Sequence, residues 1–334
     1  MYLKGKFTSD LMKLDCRQEA AKIINKIKDI VLNRFRKRGI VLGLSGGIDS
    51  SVVAALCVQA LGKERVLGLL MPEKESAPET FELSCLIANH LKIETVHEDI
   101  TKILESLRCY QRRDEAIKQI VPEYDIGYKC KIVLPNLLNG DRYRIFSLVI
   151  ESPDGHRKKV RLTPAIYLNI LAATNFKQRV RKMLEYYHAD KLNYIVAGTP
   201  NRLEYDQGFF VKLGDGAADI KPIAHLYKTQ VYQMAEFLGI PKQIIKRLPT
   251  TDTYSLQQSQ EEFYFSVPYE KMDLCLYGKN HKKMPEEVAE VVDLTTEQVE
   301  RIYRDIDTKR KATRYLHTKS LLFDKVEEVV GVNQ

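Results

Sequence analysis

Apolar residues recur along this chain in two alternating rhythms, one of period near 3.6 and one of short unbroken runs, and the alternation predicts its architecture. After Asp15, the residues Ala20, Ile23, Ile24, Ile27 and Val31 fall at helical spacing, and Asp15 with Gln18 has the spacing of a capping box. Residues 39–43 then form a short apolar run that reads as a buried strand. A glycine turn follows, and Val52-Val53-Ala54-Ala55-Leu56 begins a helix reaching about Leu61. Residues 65–72 read as a second buried strand, Pro78-Glu79-Thr80 opens a helix to about Leu91, and residues 93–96 supply a third strand. Strands alternating with helices predict an α/β fold, a doubly wound parallel sheet with helices on both faces. Ligands of such sheets sit beyond the carboxyl ends of the strands, where the glycine turn falls.

The rhythm changes between about Tyr124 and Thr163. Lys131-Ile132-Val133-Leu134, the run from Tyr143 to Ile150, the turn Ser152-Pro153-Asp154-Gly155 and a basic, partly alternating stretch to Leu162 predict a β-hairpin insertion over residues 125–163. Tyr194-Ile195-Val196-Ala197-Gly198 returns to the buried-strand pattern. Near the end, Val299, Ile302, Tyr303 and Ile306 mark an amphipathic helix opened by Thr295 and Gln298 in capping-box spacing, part of a C-terminal helical segment. There is no internal repeat and no low-complexity segment.

Composition narrows the class. A chain of 334 residues can bury one large core or two smaller ones, and 44% hydrophobic with 29% charged residues describes an ordinary soluble protein. The start, Met-Tyr-Leu-Lys-Gly-Lys-Phe, lacks a signal-peptide pattern and no segment approaches a membrane span, so a cytoplasmic location is expected. Six scattered cysteines form no Cys-x-x-Cys pair, which argues against a zinc ribbon or a disulfide framework. The net charge of +8 collects in modest clusters at residues 34–38, 157–161, 179–182 and 309–314. Solvated surface explains them first, a small anionic substrate second and nucleic acid last.

The strand at residue 40 ends in Ser45-Gly46-Gly47-Ile48-Asp49-Ser50, at the mouth of a helix. Backbone N–H groups at such a turn, with the positive helix end behind them, suit phosphate. No Gly-Lys-Ser/Thr occurs in the chain, so this is not the Walker loop. It resembles the pyrophosphatase loop of enzymes that split ATP into AMP and pyrophosphate to adenylate a substrate. A second stretch, Gly198-Thr199-Pro200-Asn201-Arg202-Leu203-Glu204, follows a buried strand and so belongs to the same sheet edge. A hydroxyl and a carboxylate there could hold ATP and Mg²⁺, which prefers one or two carboxylates plus phosphate oxygens. Taken alone, Glu204 could equally be a helix-start carboxylate and Asp49 an N-cap. Lys212 and Lys228 could neutralise charge on the phosphates or could lie on the surface; for Lys228 the surface reading is weakened by its place at a helix start, where cations are disfavoured.

Together these stretches resemble the ammonia-dependent NAD⁺ synthetases, over about residues 15–310 apart from the insertion. The strongest parts are residues 43–51, Leu69-Leu70-Met71-Pro72, residues 198–222, and Leu226-Tyr227-Lys228-Thr229-Gln230-Val231. The resemblance implies a single catalytic domain of the adenine nucleotide alpha hydrolase-like kind, a ligase that adenylates deamido-NAD⁺ on its nicotinate carboxylate and lets ammonia displace AMP. It also implies roles. Gly43, Leu44, Ser45, Gly46, Gly47, Ile48, Asp49 and Ser50 would bind the ATP phosphates, with Thr199, Lys228 and Thr250 as further ATP contacts. Asp49 and Glu204 would hold Mg²⁺, and Asp49, Lys212 and Lys228 would serve the chemistry. Arg179, Lys212, Asp219, Thr308 and Lys309 would bind the dinucleotide. Residues 247–268 match a mobile loop closing over the reactants, which matters because an acyl-adenylate hydrolyses when water reaches it. A homodimer is implied, and ammonia is expected free or from a separate glutaminase.

Two departures stand out. Thr308-Lys309 occupies the place of the family's usual His-Lys pair, and the insertion exceeds the usual connection, with solvent or subunit contact expected for it rather than substrate contact. None of the seven histidines has metal spacing; His225, beside Pro222, is expected to pack or to lie on the surface. The rivals are the same chemistry on another carboxylate, a tRNA-modifying enzyme with the same loop, and a nucleotide-binding module without catalysis.

Overall fold

A computed structural model describes residues 7–134, 138, 146–250 and 253–324. Helix α1 (Cys16–Lys28), capped by the Asp15 carboxylate on the Gln18 N–H, runs on through a π-helical stretch, Asp29–Arg34. Strand β1 (Ile40–Gly43) follows, then α2 (Ile48–Leu61), β2 (Val66–Leu70), α3 (Pro78–Leu91), β3 (Glu94–His97), α4 (Thr101–Ser106) and α5 (Cys109–Lys118). After the insertion come α6 (Pro164–Leu192), β7 (Ile195–Val196), α7 (Arg202–Gln207), α8 (Lys228–Phe237) and α9 (Lys242–Lys246). The chain closes with α10 (Tyr269–Asn280), α11 (Pro285–Val292) and α12 (Thr296–Thr313).

The main sheet is parallel, in the order β3-β2-β1-β7, with Ile40 facing Val66 on one side and Ile195 on the other. The expected parallel sheet with helices on both faces is borne out, and the period-2 sorting of side chains shows why it forms. Ile40, Leu42, Val66 and Leu70 pack into a core with α1, α2, α3 and α8. Val41, Leu67, Leu69 and Met71 point the other way, into a core with α4, α5 and α6. Order β3-β2-β1-β7 places β1, where the glycine turn begins, inside the sheet rather than at its edge. A third apolar cluster unites α10, α11 and α12 with Leu203 and Tyr227.

The inserted segment differs from the expected hairpin. Strands β4 (Lys129–Val133), β5 (Ser147–Glu151) and β6 (Arg157–Arg161) form a separate three-stranded antiparallel sheet with β5 in the middle. Residues 143–145, the start of the apolar run expected to belong to the hairpin, lie outside the described residues. The sheet has its own core, Cys130, Ile132, Leu148 and Ile150 packed on Leu162, Ile166 and Ile170. Among the described residues no helix is long and apolar enough to cross a membrane.

Candidate active site

The turn after β1 is closed by its own hydroxyls. Ser50 Oγ lies 3.1 Å from Ser45 Oγ and donates to the Gly47 carbonyl at 3.0 Å; Ser51 Oγ donates to the same carbonyl at 2.8 Å, and the Gly47 N–H reaches Ser45 Oγ at 3.3 Å. Gly46 has φ +64°, a left-handed conformation that L side chains resist. Gly47, not Asp49, is the N-cap of α2, so Asp49 is free for another task in the first turn.

That task joins three separate parts of the chain. Asp49 Oδ2 accepts from Lys228 Nζ at 2.5 Å, and Oδ1 accepts from Asn201 Nδ2 at 3.1 Å. Asn201 is the N-cap of α7, and its N–H donates to Glu204 Oε2 at 3.2 Å. Glu204 Oε1 in turn accepts from Gln260 Nε2 at 3.1 Å. Glu204 is thus both the capping-box residue that its position suggests and a second carboxylate beside Asp49. Burial first, and Asp49 next, push its carboxyl up to about 8 from an ordinary 4.5.

Lys228 is fully buried at the first position of α8. Burial works against its charge, but Asp49 and Glu204 outweigh it and raise its pKa. The helix N-terminus, where a cation is unwelcome, is offset by Asp273 of α10, whose carboxylate accepts from the Lys228 and Thr229 N–H groups at 3.2 and 2.7 Å. Lys228 therefore belongs to the site and not to the surface.

These groups face a cavity of about 1000 Å³, at the large end of ligand pockets. It is lined by Gly43, Leu44, Ser45, Gly47, Ile48, Asp49 and Ser50, with Thr199, Glu204, Lys228 and Thr250. Arg179, Lys212, Thr308 and Lys309 line it as well. Lys212 Nζ donates to the Tyr315 carbonyl at 3.1 Å and lies 3.8 Å over the Tyr315 ring, and Arg179 Nε donates to the Lys212 carbonyl at 3.3 Å. Neighbouring Arg181 is tied to the Met71 carbonyl at 3.1 Å. Thr308 Oγ1 donates to the Arg304 carbonyl in its own helix, and the Lys309 ammonium is held by Tyr264 O at 2.7 Å, Asp305 Oδ2 at 2.9 Å and Gln207 Oε1 at 3.2 Å. Lys309 fastens α12 to the segment before α10.

Asp219 is not among the lining residues. Its Oδ2 accepts from the Val196 N–H at 2.7 Å, and it closes the end of β7. His225 lies on the surface, 2.8 Å from Glu19 Oε1. Residues without an assigned role in the sequence turn out to matter: Asn201, which touches both carboxylates; Gln260; and Arg247, which bonds Thr80 Oγ1 at 2.7 Å and the Ser45 carbonyl at 3.5 Å. Only Asn201 carried a local signal, the Asn-x-x-Glu spacing of a capping box.

Two carboxylates bridged by one asparagine, with a phosphate-type loop beside them, fit a divalent cation that takes its remaining ligands from phosphate oxygens. Burial first, and the neighbouring Asp49 carboxylate second, raise the Glu204 pKa. The sign of its effect on stability follows. A carboxyl whose folded pKa lies above its unfolded value contributes fully below about 4.5, and the contribution is lost as pH rises through about 8. Melting curves of the cation-free protein between those values should show a declining stability that Glu204→Gln flattens, and Mg²⁺ should restore more stability at the upper end. A variant with the same pH slope as the parent would remove Glu204 from this account.

A protein-family model described as NAD synthase matches residues 19–123 and 150–314. The gap, residues 124–149, covers β4 and the first part of β5. The chain is 56% identical over 323 residues to the NH(3)-dependent NAD(+) synthetase of Rhizobium meliloti strain 1021, covering 97% of this chain and 96% of that protein. In fold it resembles the NMN synthetase of Francisella tularensis, with TM-score 0.64 at 23% identity over 93% of this chain and 99% of that one. It also resembles the NH3-dependent NAD synthetase of Campylobacter jejuni, with TM-score 0.61 at 24% identity over 93% and 100%.

Proposed function

The chain belongs to the NAD synthase family, and from that premise we propose that it joins ammonia to the nicotinate carboxylate of deamido-NAD⁺, at the expense of ATP, giving NAD⁺, AMP and pyrophosphate. The observation that carries this reading is the meeting of the Ser45–Ser50 turn with Asp49, Lys228 and Glu204 on one cavity. A carboxylate is a poor electrophile, and linking it to AMP supplies a leaving group, provided that the α-phosphate is held in line with it.

The backbone amides of residues 45–50 and the N-terminus of α2 cradle the ATP phosphates. The fully buried Lys228 holds the Asp49 carboxylate in a fixed orientation at the cavity wall. Asp49 and Glu204 would hold Mg²⁺, which would neutralise charge on the ATP phosphates. Arg179 and Lys212, which line the cavity as Thr308 does, meet the anionic dinucleotide. Asp219 serves the reading only indirectly, as the group that shapes the end of β7. A homodimer fits the exposed apolar residues Leu168, Met183 and Tyr187 along α6, and a sedimentation mass of one chain would remove it. The reading places the reaction in the cytoplasm.

The test is pyrophosphate release from ATP and ammonium with deamido-NAD⁺, with other carboxylates and with tRNA. Deamido-NAD⁺ is expected to give pyrophosphate and NAD⁺ in equal amounts. If it gives neither, the acid is a different one, and the panel names it.

A further inference from the structure

We infer that the buried Lys177 and the edge strand β4 of the inserted sheet are positioning elements for this reaction: they hold residues 253–260 over the Asp49–Glu204 carboxylates and keep water from the activated acid. The inference rests on the proposed amide synthesis for its chemical consequence and on geometry for the rest.

Lys177 of α6 is 1% exposed, and its ammonium has three protons to place. One goes to Glu73 Oε1 at 2.8 Å and one to Glu75 Oε2 at 2.7 Å. Both carboxylates are tied from behind: Tyr110 Oη donates to Glu73 Oε2 at 2.6 Å, and Arg113 donates to both oxygens of Glu75. The third proton goes to the Thr253 carbonyl at 3.0 Å. Lifting residue 253 would leave a buried ammonium donor without that acceptor, which is costly.

The free edge of β4 holds the next residues. Among the described residues β4 pairs in its sheet only with β5, and in an antiparallel pair alternate residues turn their polar groups outward. Those outward groups are Cys130 and Ile132. The Cys130 N–H donates to Ser255 Oγ at 2.9 Å, the Leu256 N–H donates to the Cys130 carbonyl at 3.1 Å, and Gln258 Nε2 donates to the Ile132 carbonyl at 2.5 Å. Tyr254, 4% exposed, fills the apolar core of the inserted sheet. An exposed strand edge that invites wrong pairing is thereby covered from within the chain.

Fixing residues 253–258 fixes Gln260. Its N–H donates to the Pro249 carbonyl at 3.1 Å, its Oε1 accepts from Tyr269 Oη at 3.3 Å, and its Nε2 then has Glu204 Oε1 as partner. The insertion, expected to touch solvent or a subunit rather than substrate, is the seat of the active-site cover.

The consequence is a change in coupling. If the cover loosens, water enters, and the acyl-adenylate hydrolyses to the starting acid and AMP. Pyrophosphate is then released without amide. The experiment uses the full chain as Lys177→Met and, because that change strands two glutamates, separately as Ser255→Ala with Gln258→Ala. Removing one neutral hydrogen bond shifts the closed-to-open ratio by roughly tenfold at most. Pyrophosphate formed per amide is expected to rise about threefold or more in both variants. Hydrogen exchange over residues 253–260 is expected to quicken while that of β1 and α2 stays as in the parent. An unchanged ratio in the folded variants, or unchanged exchange in that segment, overturns the inference. If the parent itself makes no amide from deamido-NAD⁺, the functional reading fails, and the exchange result still decides whether Lys177 and β4 hold the segment.

Discussion

Asp49→Asn is expected to lower turnover by about a hundredfold or more while the protein stays folded. The asparagine is isosteric, yet it brings an N–H₂ group toward the Lys228 ammonium or turns it toward Asn201 Nδ2, another donor. Either way one of the two existing bonds becomes a donor facing a donor. Lys228, fully buried, then depends on Glu204, the carboxylate that supports its charge next after Asp49. Breaking a buried ion pair in this way costs about 3 kcal/mol or somewhat more. Most domains of this size tolerate that loss, since unfolding free energies run from about 5 to 15 kcal/mol. Denaturant unfolding measures the stability, and pyrophosphate release at saturating Mg²⁺ measures the chemistry. Turnover equal to the parent's at saturating Mg²⁺ would take Asp49 out of the metal and phosphate role. The converse change, Lys228→Met, would leave the Asp49 and Glu204 carboxyls without the ammonium beside them, and Glu204 would then bind its proton still more tightly.

The second large effect is structural in origin. A methyl group at position 46 would sit 2.7 Å from Leu83 Cβ and 2.8 Å from the Thr80 carbonyl, on the α3 side of the loop. The residue must also keep φ +64°. The left-handed conformation alone costs an L residue about 1–2 kcal/mol, and crowding in a packed interior adds about 1–3 kcal/mol. Gly46→Ala is therefore expected to destabilise the protein by about 3 kcal/mol. It should also weaken ATP binding, because the relief of the clash moves the N–H groups of the turn. Gly47→Ala is the contrasting case: it has no positive φ, and its new methyl meets only Ser45 Oγ, at 3.2 Å. Isothermal titration with ATP and a thermal melt on both variants separate the two costs. Equal behaviour of the two alanines would show that the contact with α3 does not shape the loop.

Much of the frame was legible beforehand because it is local. Asp15 caps α1, Thr295 caps α12, and the runs at residues 40 and 66 are strands because unbroken apolar stretches of that length suit a sheet covered on both faces. The turn at residues 45–50 was legible for the same reason, since its hydroxyls and glycines bond to one another within six residues. Where a group's partner lies far along the chain, local pattern is silent. Asp219, given a substrate role by the resemblance alone, bonds the Val196 N–H, a contact that no local spacing announces. Lys309, likewise named by the resemblance, lines the cavity and is also bonded to Tyr264, Gln207 and Asp305.

Sequence by itself thus determined the α/β layering and the glycine–serine turn after β1, and it singled out Asp49, Glu204 and Lys228 as candidates. Tertiary structure alone decided that Asn201 ties the two carboxylates together, that Lys228 is buried against Asp49, and that the insertion is a three-stranded sheet on whose edge residues 255–258 lie. The physical reason is burial. Periodicity records which face of an element is apolar, whereas the partner of a buried charge is chosen by packing between segments up to 179 residues apart, as for Asp49 and Lys228.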